Sequence, residues 1–197
     1  NLLEINPSEK AIKFGKSLGR DPSFMQLIMD ESNEILSTEK NVIIVEHKLG
    51  YININAGIDR SNISKNKNLV LLLPENPKKS ANDIQTQISS ELGKDISVII
   101  TDSMTRPYRS GVTNFAIASS NIQSLIDLKG EEDIFGNTLH ATEIAIADEL
   151  AAAAGLLMGQ GNDMKPVVII KGFDRSNYSV NNAYDLIVNK DEDLYRF

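Results

Sequence analysis

Apolar residues in the first part of the chain recur at helical spacing. Ile12, Phe14 and Leu18 lead up to Gly19, and Pro7 stands where a first turn tolerates proline, so a short helix is expected there. Asp21 or Ser23 caps a second helix, in which Phe24, Leu27, Ile28, Ile35 and Leu36 keep the same spacing. The pair reads as a helical hairpin. From Val42 the rhythm becomes that of strands. VIIVEHK (42–48) is β-branched, and in YININ (51–55) Ile52 and Ile54 alternate with Asn53 and Asn55, which predicts a β-hairpin turning near Gly50. NLVLLLP (68–74) reads as a further strand closed by Pro74.

The second half mixes the two rhythms. A helix is expected from Ser80 or Asn82 through Ile84, Ile88 and Leu92, stopping at Gly93. ISVII (96–100) is a buried strand ending at Thr101 and Asp102, and VTNFAIAS (112–119) is another. A long helix is expected over 139–158 and a last strand at PVVII (166–170), before a polar tail with weak signals at 183–188. Hairpins interleaved with strand–helix–strand units predict an α+β fold, a mixed, largely antiparallel sheet flanked by helices. The length of 197 residues fits a single domain spanning 1–197.

Composition narrows the partners. Lys and Arg total 20 against 27 Asp and Glu, a net charge of -7, so the chain repels polyanions and nucleic acid is not an expected partner. There is no cysteine, which excludes disulfides, thiolate metal sites and a cysteine nucleophile. The apolar runs fall short of the roughly 20 residues that span a bilayer, so no membrane association is expected and the expected compartment is cytoplasmic. The chain opens on Asn1 with no signal-peptide pattern, and an amino-terminal piece is expected to precede it.

NAGIDRSN (55–62) and ITDSMTRPYRSG (100–111) carry the candidate chemistry. Asp59 and Asp102 each stand just beyond an expected strand, where carboxylates can converge on a hard cation without entering the sheet. The competing reading makes both of them turn formers. Ser103 adds a hydroxyl, and Arg106 and Arg109 add guanidiniums suited to phosphate or carboxylate, unless they are ordinary surface charge. MGQGND (158–163) could bring backbone N–H groups to a nucleotide, or could simply stop a helix; it lacks the Lys-Ser/Thr ending of a P-loop. His140 and Glu143 share a face of the expected long helix, but the other histidine, His47, is in a strand and no HExxH pattern exists. Asp148 and Glu149 are expected in mid-helix, facing solvent or another helix.

In order along the chain, NAGIDRSN, LLLPENP, ITDSMTRPYRSG, DIFGNTL, ATEIAIADELAAAAGLLMGQG and PVVIIKG resemble the coenzyme F-420-0:gamma-glutamyl ligase family, over about Asn6 to Gly172. The resemblance implies a GTP-dependent ligase that joins L-glutamate to a carboxylate of the deazaflavin precursor F-420-0 through an acyl phosphate, releasing GDP and phosphate. It also implies an intertwined homodimer using two divalent cations, Mg2+ or Mn2+, with K+ as a further possible ion. Carried over motif by motif, the metal ligands are Asp59, Asp102, Ser103 and Gln160, with Asp59 and Asp102 the catalytic pair. The guanine-nucleotide contacts are Asn62 and the loop Met158, Gly159, Gln160, Gly161, Asn162, Asp163, Met164 and Lys165. Ser103 replaces a usual threonine and Thr105 a usual glycine, Ser119 and Ser120 replace glycines, and Gln160 stands where some relatives have an acid. The family's amino-terminal nucleotide-binding segment has no counterpart in the chain. The alternatives are a non-catalytic nucleotide- or coenzyme-binding homologue, or a ligase for another amino acid or acceptor.

Overall fold

The structure is a computed structural model that describes residues 1–39, 42–174, 180 and 183–195. The chain divides into two compact units, Asn1–Leu73 with Met104–Ser110, and Pro74–Ser103 with Gly111–Phe197.

In the first unit, α1 (Glu9–Leu18) begins where Ser8 Oγ accepts from the Ala11 N–H at 3.2 Å, and it ends at Gly19 with φ 62°. α2 (Pro22–Asp30) is capped by Asp21, which accepts from the Phe24 N–H at 2.9 Å, with Pro22 in the first turn. The expected helical hairpin is present. Phe24, Met25 and Ile28 of α2 are fully buried against Leu2, Ala11, Ile43, Val45, Ala56 and Ile58.

Three antiparallel strands follow in the order β1 (Ser32–Ser37), β2 (Ile44–His47) and β3 (Ile52–Ile54). Ile35 and Leu36 therefore belong to β1 and not to α2. The buried central strand β2 needs a backbone partner on each side, and Ile35 pairs with Val45 as Val45 pairs with Asn53. NLVLLLP does not form the expected strand. It contributes one bridge, Leu71 to Asp59, with reciprocal backbone bonds of 2.9 and 3.0 Å.

The second unit opens with α3 (Pro77–Leu92), capped by Asn76 and closed by Gly93 at φ 60°. β4 (Val98–Arg106) and β5 (Arg109–Ser120) pair across a two-residue turn, which makes them an antiparallel hairpin; the tip, from Met104, counts with the first unit. β4 thus runs past Asp102, which sits inside the strand and not beyond its end. β6 (Ile126–Asp127) pairs antiparallel with β7 (Glu143–Ile144), and α4 spans Ile146–Met158.

α4 is shorter than the expected helix because the backbone before it is used elsewhere. Ile144 pairs with Ile126, and the Gly130 N–H donates to the Leu139 carbonyl at 2.8 Å. Asp148 and Glu149 consequently lie in the first turn of α4, where its dipole favours acids, and not in mid-helix. PVVII (166–170) is not a strand: it has no ladder partner among the described residues, and Val167 and Ile169 are exposed. β-branched composition reports extended backbone but says nothing about the partner that makes it a strand.

The class is α+β, built among the described residues on three small sheets instead of one mixed sheet. Among the described residues no helix is long and apolar enough to cross a membrane. The second unit's core is fine-grained: Ala116, Ala147 and Ala183 meet beside Ile99, and Ile122, Ile126 and Ile146 form a neighbouring cluster.

Candidate active site

In the first unit the site begins with backbone strain. Asn55, Ala56 and Gly57 take φ values of 51°, 57° and 65°, three successive residues in the left-handed region, and Asn62 follows at 55°. Each non-glycine residue held there costs on the order of 1–2 kcal/mol, so the surrounding packing must impose the turn. Ala56 and Ile58 are buried in the core on either side of Gly57, whose missing Cβ would lie 2.7 Å from Asn53 Nδ2 and 3.1 Å from Leu73. The turn drives Ile58 inward and brings Asp59 to the surface, where the Leu71 bridge holds its backbone on both sides.

The Asp59 carboxylate makes no hydrogen bond or ion pair among the described residues. Nearby atoms still withdraw enough water to raise its pKa above the ordinary carboxylate range. The neighbouring Arg60 does not neutralise it; its guanidinium lies 4.7 Å from the centre of the Phe24 ring.

Asn53 is the surprise of this turn. Alternation in YININ predicts isoleucines inward and asparagines outward, yet Asn53 is 5% exposed and Ile52 39%. Both amide atoms of Asn53 and Oδ1 of Asn55 are buried without a hydrogen-bond partner among the described residues. A buried orphan amide costs about 1–3 kcal/mol, so this is a second unfavourable feature beside the strained turn. A single strand's period fixes which residues share a face; which face is buried is set by the neighbouring elements, and here they bury the face of Asn53 against what hydrophobicity alone predicts.

The second unit's candidate residues are held by a network of their own. Asn114 on β5 is buried, and its Nδ2 donates to Thr101 Oγ1 at 3.2 Å, next in sequence to Asp102. Its Oδ1 accepts from Gln160 Nε2 at 2.6 Å, and Met158 Sδ lies 3.8 Å from Nδ2. Gly155 makes this possible, since a Cβ there would come within 2.8 Å of the Asn114 side chain. Asn114 thereby ties the loop after α4 to β4, a role sequence reading missed because one asparagine in a strand carries no spacing signal. The Ser103 N–H donates to Asp102 Oδ1 at 2.8 Å.

The loop from Met158 closes on itself. Gly159 adopts φ 76° and ψ 175°, and the Asp163 carboxylate folds over it where any Cβ would collide. Gly161 N–H donates weakly to the same carboxylate at 3.4 Å. Asn162, Met164 and Lys165 are exposed, Met164 with φ 56°.

The sequence profile of the F420-0:gamma-glutamyl ligase family matches residues 1–172. The coenzyme F420:L-glutamate ligase of Methanocaldococcus jannaschii is 45% identical over 195 residues, covering 98% of this chain and 76% of that protein. The enzymes of the same name from Methanococcus maripaludis and Methanosarcina mazei are 45% and 43% identical, over 98% and 88% of this chain and 76% and 67% of theirs. The chain belongs to the F420-0:gamma-glutamyl ligase family.

Every donor considered above falls within the matched stretch of this gamma-glutamyl ligase family member. In kind, these oxygen donors are ones that hard cations take. Among the described residues Asp59 has no charge partner, and Asn114 engages the amide nitrogen of Gln160 and leaves its Oε1 as an acceptor. Carboxylate, hydroxyl and amide oxygens suit Mg2+ or Mn2+ and not Zn2+. Among the described residues no group of three or more His, Cys, Asp or Glu could hold a metal ion.

The histidines are elsewhere. His140 precedes α4, Glu143 lies on β7 with Lys129 Nζ at 2.9 Å, and His47 is buried at the end of β2. They form no shared site, and the helical face expected for His140 and Glu143 does not exist. Asp148 is also apart from Gln160, at the other end of α4 and roughly 15 Å away along its axis. It accepts from the Ala116 N–H at 2.9 Å, and burial raises its pKa.

Proposed function

We propose that this chain is a GTP-dependent ligase that forms an amide between L-glutamate and a carboxylate of F420-0. The observation that carries this reading is the family match, which takes in Asp59, Asp102 and the loop after α4 in one continuous span. Asp59, Asp102, Ser103 and Gln160 are the ligands of two divalent cations, Mg2+ or Mn2+, with K+ as a further candidate ion. Bound there, the cations neutralise the phosphates of GTP.

The protein's own contribution is positioning. Asn62 and the loop from Met158 to Lys165 hold the guanine nucleotide, and the lock between Asn114 and Gln160 sets the loop's first polar side chain. The acceptor carboxylate is already ionised at neutral pH, so it attacks the γ-phosphorus without a base. The resulting acyl phosphate is open to the glutamate amine, and GDP and phosphate leave.

The same reading makes the chain a cytoplasmic homodimer. Exposed Val167 and Ile169 on an extended segment, with Leu156 and Leu157 exposed on α4, are what a second copy would cover. Incubation with GTP, Mn2+, L-glutamate and F420-0 should give a glutamylated product by mass spectrometry, with stoichiometric GDP. No product under conditions in which the M. jannaschii enzyme turns over would contradict the reading.

A further inference from the structure

The tip of the β4–β5 hairpin is unfavourable for the isolated chain in three ways. Pro107 and Tyr108 form the two-residue connection, and Tyr108 adopts φ 58°. A proline followed by positive φ matches the φ signs of a type II turn, whose third position favours glycine, and a bulky side chain there is strained. Tyr108 is also 89% exposed, so its ring contributes nothing to the core. Finally, Arg106 ends β4 and Arg109 begins β5 on either side of the turn, and like charges held this close in the chain repel. Neither guanidinium makes an ion pair among the described residues; the contact available is a weak one from Arg106 Nη2 to the Ser110 carbonyl at 3.4 Å. This concentration of unopposed positive charge occurs in a chain of net charge -7.

One kind of ligand removes the second and third of these penalties and gives the strained, outward-held ring a use: a flat, π-rich anion. Its ring covers Tyr108, and its negative groups bridge the two guanidiniums, which accept carboxylate and phosphate bidentately. Two reactants of the proposed reaction have this chemistry, the deazaflavin acceptor and GTP, and the nucleotide already has Asn62 and the 158–165 loop. We infer that the tip docks the deazaflavin acceptor, with Tyr108 stacked on its planar ring and Arg106 and Arg109 holding its anionic groups. The inference rests on the ligase reading.

Fluorescence titration of F420-0 into the protein without GTP tests it, beside titration of a fluorescent GDP analogue. Tyr108→Ala should weaken F420-0 binding about tenfold, Tyr108→Phe should keep it near wild type, and the GDP analogue should bind wild type and both variants alike. Arg106→Gln and Arg109→Gln should each weaken F420-0 and flatten its dependence on salt. Tyr108→Gly guards against misfolding: glycine relaxes the turn, so Tm should rise while F420-0 affinity falls.

Unchanged F420-0 affinity in Tyr108→Ala and the arginine variants would overturn the inference and leave the ligase reading standing on product formation. Loss of GDP-analogue binding with F420-0 retained would overturn it by assigning the tip to the nucleotide. Conversion of Tyr108→Gly from dimer to monomer would overturn it by making the tip a contact between copies. Wild-type protein that neither binds F420-0 nor glutamylates it would defeat the inference and the ligase reading together.

Discussion

The two units hold their candidate residues by opposite means. In the first, Asp59 is delivered by a turn of three left-handed residues above orphaned asparagine amides, with a carboxylate that its surroundings disfavour when charged. In the second, Gln160 is held by a satisfied network through Asn114, with a glycine on α4 cleared for it. One region stores strain, and the other is preorganised at little cost. The contrast predicts that substitutions at Asp59 trade activity against stability, and that substitutions around Gln160 lose both.

The largest effect should come from the carboxylates. Asp59→Asn and Asp102→Asn should each lower kcat/KM for glutamylation by about 100-fold or more, read as lost stabilisation of developing phosphate charge. Their stabilities should diverge. Because the folded pKa of Asp59 is raised, the protonated form favours the fold, and that contribution is lost as pH rises through the folded pKa. Near neutral pH, Asp59→Asn should therefore raise Tm, and Asp102→Asn should not. Equal Tm shifts for the two variants would break the comparison.

Next in size is Gly155→Val. The new side chain begins within contact of Asn114, so overpacking of about 1–3 kcal/mol should lower stability and free the loop at Gln160, measurable by urea unfolding together with Mn2+ affinity. Gly57→Ala should cost about 1–2 kcal/mol through its positive φ and the 2.7 Å approach to Asn53, with activity following stability. If Gly155→Val were neutral and Gly57→Ala severe, the assignment of strain and network to the two regions would be reversed.

The smallest effect is a pH dependence confined to the first unit. His47 is buried, its Nδ1 accepts from the Leu49 N–H at 3.0 Å, and Glu31 lies 3.6 Å from Nε2 with Lys48 nearby. Burial outweighs the attraction of Glu31 and lowers its pKa. The folded chain therefore binds fewer protons at this site than the unfolded one. Stability from His47 is present above about pH 6.5 and falls as pH drops through the window below it. His47→Gln should flatten the loss of Tm between pH 7 and pH 5, and an unchanged slope would remove His47 from the account.

Caps and turn residues were the legible part of the fold. Gly19, Asp21 and Gly93 punctuate helices where their chemistry says they should, and the hairpin of β2 and β3 follows from β-branched content around Gly50. What periodicity could not give was partnership. Ile35 and Leu36 fit a helical spacing but are drawn into β1 by the needs of β2, and the residues before Ile146 are drawn out of α4 by β6. NLVLLLP and PVVII have strand composition, yet no ladder forms for them beyond the Leu71 bridge among the described residues.

In the candidate site, charged residues were readable and neutral supports were not. Asp59 and Asp102 stand out as acids in or beside strands. Asn53, inverted in β3, and Asn114, central to the second unit's network, have no charge or spacing to mark them. Their roles exist only once backbone direction and burial are fixed.

The central claim is that Asp59 and Asp102 hold divalent cations for phosphoryl chemistry. Calorimetric titration of Mn2+ in the presence of GDP tests it most directly, on the wild-type protein, Asp59→Asn and Asp102→Asn side by side. Saturable binding that weakens by at least about tenfold in each variant is the predicted result. Wild-type affinity retained in both variants would contradict it.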